Sequence, residues 1–378
     1  MIDKLKNTVI QELINIPGFR SNRKIVVFES DDWGCIRMPS RKVYDQLLAD
    51  DFRLDNCSYN RYDSLASEDD LTSLFELLLK HKDKDGKHPI FTVNTVVANP
   101  DFEKIKLSGF NDYHYEPFTK TLEKYPEHKN SFKLWKQGMK SNIFEPQFHG
   151  REHINVKRWM RSLKNNNAFV KLAFKNQMYD LSENERISEI SFMDALNFEQ
   201  TNELQFQKKS ISEGLDIFED VFGYKASSFI PPCYIMSNNL NSQLATCGIK
   251  SIQGNYYQLE PLVGKEHKFK KNLRYLGQKN NVNQTYLVRN AFFEPFEFID
   301  KKLVVKNCLQ QVSSALNSNT PATISTHRVN FSGNISLKNR NENLEAFNEL
   351  LSQIIKKWPE VEFVTSPQLL KKINQNGL

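Results

Sequence analysis

Long apolar runs are missing from this chain of 378 residues. None approaches the ~18 consecutive apolar residues of a transmembrane span, which excludes an integral membrane protein of helical type. Glycine and proline are sparse, at 14 each, and show no collagen period. The 5 cysteines (Cys35, Cys57, Cys233, Cys247 and Cys308) are odd in number, and no two form a C-x-x-C pair. A zinc finger or a disulfide scaffold is therefore not expected, and reduced thiols in a cytoplasmic location are. Residues 1–19, MIDKLKNTVIQELINIPGF, lack the continuous apolar segment and the cleavage site of a signal peptide. They read as a short amphipathic helix ended by Pro17-Gly18. Also missing are G-x-G-x-x-G, the P-loop and the G-x-S-x-G elbow. Asp83-Lys84-Asp85-Gly86 is no calcium loop, because its glycine comes too early and the twelfth-position Glu is absent.

What is present is an ordinary globular balance, with 39% hydrophobic and 25% charged residues, so wholly disordered chains are excluded too. Lys and Arg number 51 against 45 Asp and Glu, a net charge of +6. The densest basic stretch, Lys265 to Lys271, includes a Glu and reads as a loop. With no basic stripe or binding motif beside it, no nucleic-acid partner is expected. The mild positive balance is compatible with attraction to an anionic sugar nucleotide or lipid headgroup.

Short β-branched runs alternate with helical spacing. Lys24 to Phe28, Ile90 to Val97, Ser227 to Ile230, Lys250 to Gln253, Thr285 to Arg289, Ala322 to Thr326 and Glu362 to Thr365 read as strands. Helical spacing occupies Ser67 to Lys80, Phe118 to Met139, Asn155 to Leu172, Ile211 to Phe222, Leu240 to Cys247, Leu303 to Leu316, Asn341 to Lys357 and Pro367 to Ile373. Ser67 with Asp70 has the spacing of a capping box. The alternation predicts a parallel α/β architecture. No linker or repeat divides the chain, so one domain over 1–378 is expected, with insertions near 36–66, 101–142 and 255–284 where the rhythm lapses.

Four polar clusters follow directly on apolar strands, where parallel α/β folds place their sites. Glu29-Ser30-Asp31-Asp32-Trp33-Gly34 is the first. Two adjacent carboxylates at a strand end are costly to bury without a cation. A metal ligand beside a general base explains them, and so does an Asp-rich turn leading to Gly34. The second is His149-Gly150-Arg151-Glu152-His153. Histidines at i and i+4 on one face of a helical turn can share a metal, or cap a surface turn. The third, Phe229-Ile230-Pro231-Pro232-Cys233-Tyr234, makes a rigid turn. The fourth is His327, a structural residue or a proton donor after a late strand. His81, His88, His114, His128 and His267 lie in polar or aromatic segments and are expected at the surface.

In order and in strand-end placement these four clusters resemble the polysaccharide deacetylase superfamily (NodB-like, carbohydrate esterase family 4). Its pattern is T-F-D-D-G, H-[ST]-x-x-H, R-x-P-[YFW]-G and L-x-H, and the likeness spans residues 24 to 366. The resemblance implies a distorted (β/α)7 barrel. It also implies a divalent metal, usually zinc, held by Asp32, His149 and His153, with Asp31 as general base and His327 as general acid. The implied partner is an acetylated carbohydrate. Trp33, Pro232 and Cys233 would line the substrate or support the residues that do, with a backbone N–H near Pro232–Cys233 facing the oxyanion. The family's third-motif Arg, which holds the base aspartate, is here Ile230. Three arginines are candidates to replace it: Arg151 first, because its motif must approach Asp32 through the shared metal, then Arg289, then Arg328. The expected activity is deacetylation of an acetylated sugar or glycan precursor. The alternatives are hydrolysis of another amide or a glycosidic bond, and a non-catalytic carbohydrate-binding member of the same fold.

Overall fold

A computed structural model describes residues 15–181 and 192–375 of the chain. Most of the expected N-terminal helix lies outside the described residues. Thirteen strands are formed: β1 (Ile25–Trp33), β2 (Phe91–Thr95), β3 (Ala98–Pro100), β4 (Tyr115–Pro117), β5 (Phe144–Phe148), β6 (Ser228–Phe229), β7 (Ser251–Gly254), β8 (Tyr257–Leu262), β9 (Lys265–Leu273), β10 (Thr285–Val288), β11 (Ala291–Phe292), β12 (Ala322–His327) and β13 (Glu362–Val364). Nine of them form one sheet in the order β10-β7-β6-β5-β2-β1-β12-β11, with β13 paired to β1. Every pairing in it is parallel.

The two ends of that order belong to one stretch of chain. β10 pairs with β7 and β11 pairs with β12, and only Arg289 and Asn290 separate them. The Arg289 N–H donates to the Gly254 carbonyl at 2.9 Å, and the Asn290 N–H to Thr323 on the other side at 3.1 Å. The sheet therefore curls into a barrel-like α/β fold whose opposite edges are carried by residues 285–292. This agrees with the parallel architecture expected from the alternating pattern.

Apolar side chains of β1, β2 and β5 pack outward against the surrounding helices. Phe28, Phe91 and Phe293 meet Phe347 of the helix Leu337–Lys357. Burial of such aromatic surface at ~25 cal/mol per Å² is the main drive for wrapping the helices on the sheet. The Ser67–Asp70 capping box is formed at the start of the helix Glu68–Leu79. Gly223, at φ 78°, closes the helix Glu203–Phe222.

Several expectations need correcting. The helix read over Asn155 to Leu172 is two, Val156–Lys164 and Ala168–Lys175, because Asn166 takes a left-handed φ of 57° between them. Phe118 to Met139 likewise splits into Phe118–Glu123 and Ser131–Lys140, with Pro126 opening a 3-10 turn between. Lys265 to Lys271 is not a loop: it lies in β9, which pairs antiparallel with β8. That hairpin fills much of 255–284. His128 is not at the surface; it is fully buried, with Tyr125 against its ring.

Candidate active site

β1 runs further than its apolar stretch, through both aspartates to Trp33. Ser30 pairs with Val93 and Trp33 with Thr95, so Asp31 and Asp32 together oppose the single residue Asn94. This is a bulge. Asp32 has a φ of 69°, a region that non-glycine residues seldom occupy and Asp tolerates better than most. Strict alternation would send neighbouring side chains to opposite faces. The bulge instead lets two consecutive carboxylates serve one site.

Asp32 faces both histidines. Its Oδ1 lies 3.4 Å from His149 Nε2 and 3.1 Å from His153 Nε2. One ligand-competent atom from each of the three residues lies within 4.8 Å of the others, and all three residues are buried. His149 follows β5, and its Nδ1 lies 2.9 Å from the Ile230 carbonyl. That contact places the proton on Nδ1 and turns the Nε2 lone pair toward Asp32. Residues 149–155 are not helical, contrary to the helical-turn expectation. The loop turns at Gly150, whose φ is 112°. Burial pushes the Asp32 carboxyl up, but the His153 and His149 contacts win and hold it well below the usual carboxylate range. Two imidazole nitrogens and a carboxylate oxygen form a donor set that suits a divalent cation such as zinc.

Asp31 has a different set of partners. Arg289 Nη1 donates to its Oδ2 and Nη2 to its Oδ1, both at 2.6 Å. Asn94, at the end of β2, donates to Oδ1 at 2.7 Å. Burial raises the Asp31 carboxyl, yet the Arg289 charge and hydrogen bonds outweigh it and keep the group ionised. Arg289 is itself completely buried. Its Nε donates to Glu29 Oε2 at 2.7 Å, and Nη1 also reaches Ser325 Oγ at 2.9 Å and the Tyr234 hydroxyl at 3.1 Å. Burial moves the Glu29 carboxyl upward, partly offset by Arg289 and by a hydrogen bond from Ser366.

His327 closes β12 directly opposite Asp31 in the sheet register. Its Nε2 is 3.8 Å from Asp31 Oδ2, and its Nδ1 lies 2.7 Å from Glu294 Oε1. Burial works against the imidazolium, but Glu294 and the two aspartates raise its pKa well above the ordinary histidine value.

The first choice for the replacement arginine is corrected. Arg151 turns away from Asp31 to pair with Glu152 and Glu213, and its guanidinium lies 4.1 Å from the Tyr115 ring centre. Arg328 is taken by Asp63. Arg289 reaches Asp31 because it sits at the end of β10. Trp33 is buried in the core against Trp135 and Phe144, with its Nε1 donating to Ser30 Oγ at 2.8 Å. Pro232 is buried near Gly150, whereas Cys233 is exposed. Cys233 and Tyr234 take left-handed φ values of 56° and 58°. Among the described residues the Cys233 N–H has no acceptor.

Glu29, Asn94, Tyr234 and Glu294 carry the site without having been assigned to it from sequence. Asn94 lies in the middle of the strand expected over Ile90 to Val97, and only the shorter observed β2 brings it near a strand end. Glu294 follows the two-residue β11, too short to stand out by periodicity.

No protein-family model matches the chain. No curated protein matches it either. Among solved structures, the chain is similar to PuuE allantoinase, at 9% identity and a TM-score of 0.49 over 95% of this chain and 93% of that one. It is similar to the peptidoglycan deacetylase PdaC of Bacillus subtilis, at 12% identity and a TM-score of 0.36 over 94% and 93%. It is also similar to 4-alpha-glucanotransferase of Thermococcus litoralis, at 11% identity and a TM-score of 0.43 over 92% of this chain and 40% of that one. With TM-scores below 0.5, these likenesses carry no argument about activity. Among the described residues no helix is long and apolar enough to cross a membrane.

Proposed function

We propose that this protein is a divalent-metal-dependent hydrolase that removes an acetyl group from an acetylated sugar. The observation that carries the reading is the pairing of two unlike carboxylates. Asp32 faces two histidines, while Asp31, the next residue, is held by an arginine and lies opposite His327. Adjacent groups with such different partners support separate tasks.

Asp32, His149 and His153 would hold the ion. The fit rests on the converging donors and on the His149 Nδ1 contact that frees Nε2. When bound, the ion, by preference zinc, would polarise the acetyl carbonyl and acidify a water. Asp31 accepts the water proton as the water attacks the carbonyl carbon. Arg289 and Asn94 fix the direction of the Asp31 carboxylate and keep it ionised, at some loss of basicity. The Cys233 N–H, which has no acceptor among the described residues, is the donor for the oxyanion. His327 Nε2 then gives its proton to the departing amine or alcohol, and Glu294 keeps that proton in place beforehand. Acetate and the free amino sugar or hydroxyl leave.

Ile230 in place of the third-motif arginine was the ground for reading a non-catalytic member; Arg289 supplies the same hydrogen bonds from another strand. In this reading residues 1–378 form one barrel domain in the cytoplasm. The test is acetate release from a panel of N- and O-acetylated sugars, before and after chelation and with zinc restored. Release that stops on chelation and returns with zinc supports the proposal. Release of other products, or none, contradicts it.

A further inference from the structure

Beyond β1 the chain is pinned at two points. The Cys35 carbonyl accepts from Arg328 Nη1 at 2.6 Å, and the Ile36 N–H donates to Asn99 Oδ1 at 2.9 Å. Arg37 comes next. Its guanidinium carbon lies 5.1 Å from the centre of the Tyr59 ring. The Tyr59 ring in turn meets the His327 ring edge-on, with centres 5.9 Å apart. Arg37 thus stands on the His327 wall of the site.

Its bonding is unlike that of the buried arginines around it. Arg289 has Glu29 and Asp31, Arg328 has Asp63, Arg151 has Glu152 and Glu213, and Arg158 has Asp194. Among the described residues Arg37 has no hydrogen-bond or ion-pair partner, and its Nε is buried without an acceptor. The carboxylates whose charge reaches it are engaged elsewhere: Asp63 accepts two bonds from Arg328, and Asp32 faces the histidines. Glu294, next along the wall, is taken by His327 and Asn330. Arg37 is half-buried, with its Nε enclosed and unsatisfied; an enclosed donor without an acceptor is costly, and the planar guanidinium fork matches a carboxylate or a phosphate.

The direction of the chemistry says which part of a substrate meets it. The acid gives its proton to the leaving group, and in deacetylation the leaving group is the sugar. The His327 side of the site therefore faces the sugar rather than the acetyl methyl. We propose that Arg37 is an oxyanion-binding subsite, so that the substrate is an acetylated sugar bearing a carboxylate or a phosphate. This rests on the deacetylase reading above and narrows it to anionic sugars.

The test compares N-acetylglucosamine, its 6-phosphate and the corresponding 6-uronate, using the metal-loaded protein. One of the anionic sugars should exceed the neutral one in kcat/KM by roughly 10- to 100-fold, as expected for a charge-assisted contact. The preferred one identifies the anion. Arg37→Gln should bring that ratio close to one, and Arg37→Lys, which keeps charge without the fork, should keep part of it. If Arg37→Gln fails to fold, the ratio in Arg37→Lys decides, and it must fall below that of the wild type. Equal wild-type rates on neutral and anionic sugars, or a ratio that neither substitution changes, overturn the subsite and leave the deacetylase reading standing. If no sugar releases acetate, the deacetylase reading fails and calorimetric binding decides the subsite. An anionic sugar held at least tenfold tighter than the neutral one, and loosened by Arg37→Gln, upholds it. Equal affinities overturn it.

Discussion

Arg289 and Asp31, 258 residues apart in sequence, are joined by two parallel hydrogen bonds of 2.6 Å each. One residue directly follows β10, and the other lies in the bulge of β1. The contact exists because the sheet curls until β10 looks across the barrel at β1. The same guanidinium also holds Glu29, so a single arginine hydrogen-bonds two buried carboxyl groups.

That arrangement predicts two different outcomes at one position. Arg289→Lys keeps a charge but loses the fork, so kcat should fall roughly 10- to 100-fold with bound metal unchanged. Arg289→Met leaves Glu29 and Asp31 buried without their guanidinium partner, which should cost about 3–5 kcal/mol of stability. Urea unfolding of both variants checks the second figure, and assays with metal analysis check the first.

His327→Ala should discriminate between leaving groups. A poor leaving group such as a sugar amine needs the proton, whereas the phenolate of an activated aryl acetate does not. The variant should therefore lose far more activity on the N-acetyl sugar than on the aryl ester. Equal losses would remove His327 from the acid role.

The Glu294–His327 contact gives a pH prediction. His327 acts as an acid only while protonated. Glu294 helps to raise its pKa well above the ordinary value, so the alkaline limb of activity should lie well above ~6.5. Glu294→Gln should move that limb to lower pH. The stability the pair contributes is fully present below the unfolded histidine value and fades as pH rises through the raised folded one. The stability gap between wild type and Glu294→Gln should therefore shrink toward alkaline pH. Superimposable pH–rate profiles would contradict this account of Glu294.

Much of this arrangement was legible in the sequence because it obeys short-range rules. Apolar β-branched runs marked β1, β2, β10 and β12, and polar residues directly after them marked Asp31, Asp32 and His327. What was not legible depends on the closed sheet. Arg151 was favoured over Arg289 because it lies within the histidine motif, but nearness in sequence does not set the direction of a side chain. Arg151 has Glu152 beside it and Glu213 on the packed helix Glu203–Phe222, and those carboxylates claim it. Trp33 was read as touching the substrate or supporting the site, and the bulge that brings both carboxylates to the site returns its ring to the core. The β8–β9 hairpin escaped notice because its lysine-rich strand has no apolar alternation.

Gly150 is the weak point of the histidine loop. At φ 112° an L-residue is strained, and an added Cβ would lie 3.1 Å from the Glu152 carbonyl oxygen. Gly150→Ala should cost roughly 1–3 kcal/mol and displace His149 or His153. Weaker metal binding in a variant that still folds, followed by circular dichroism and zinc titration, is the expected result.

The account depends most on an ion held by Asp32, His149 and His153, and metal stoichiometry of the purified protein tests this directly. Wild type and Asp31→Asn should each carry about one divalent ion per chain, because Asp31 is directed to Arg289 rather than to the histidines. Asp32→Asn keeps a residue that tolerates the left-handed backbone but removes the charged ligand, so it should lose the ion, as should His153→Ala. A wild-type protein that neither carries a divalent ion nor binds added zinc, or an Asp32→Asn variant that binds it as tightly as wild type, would contradict the account.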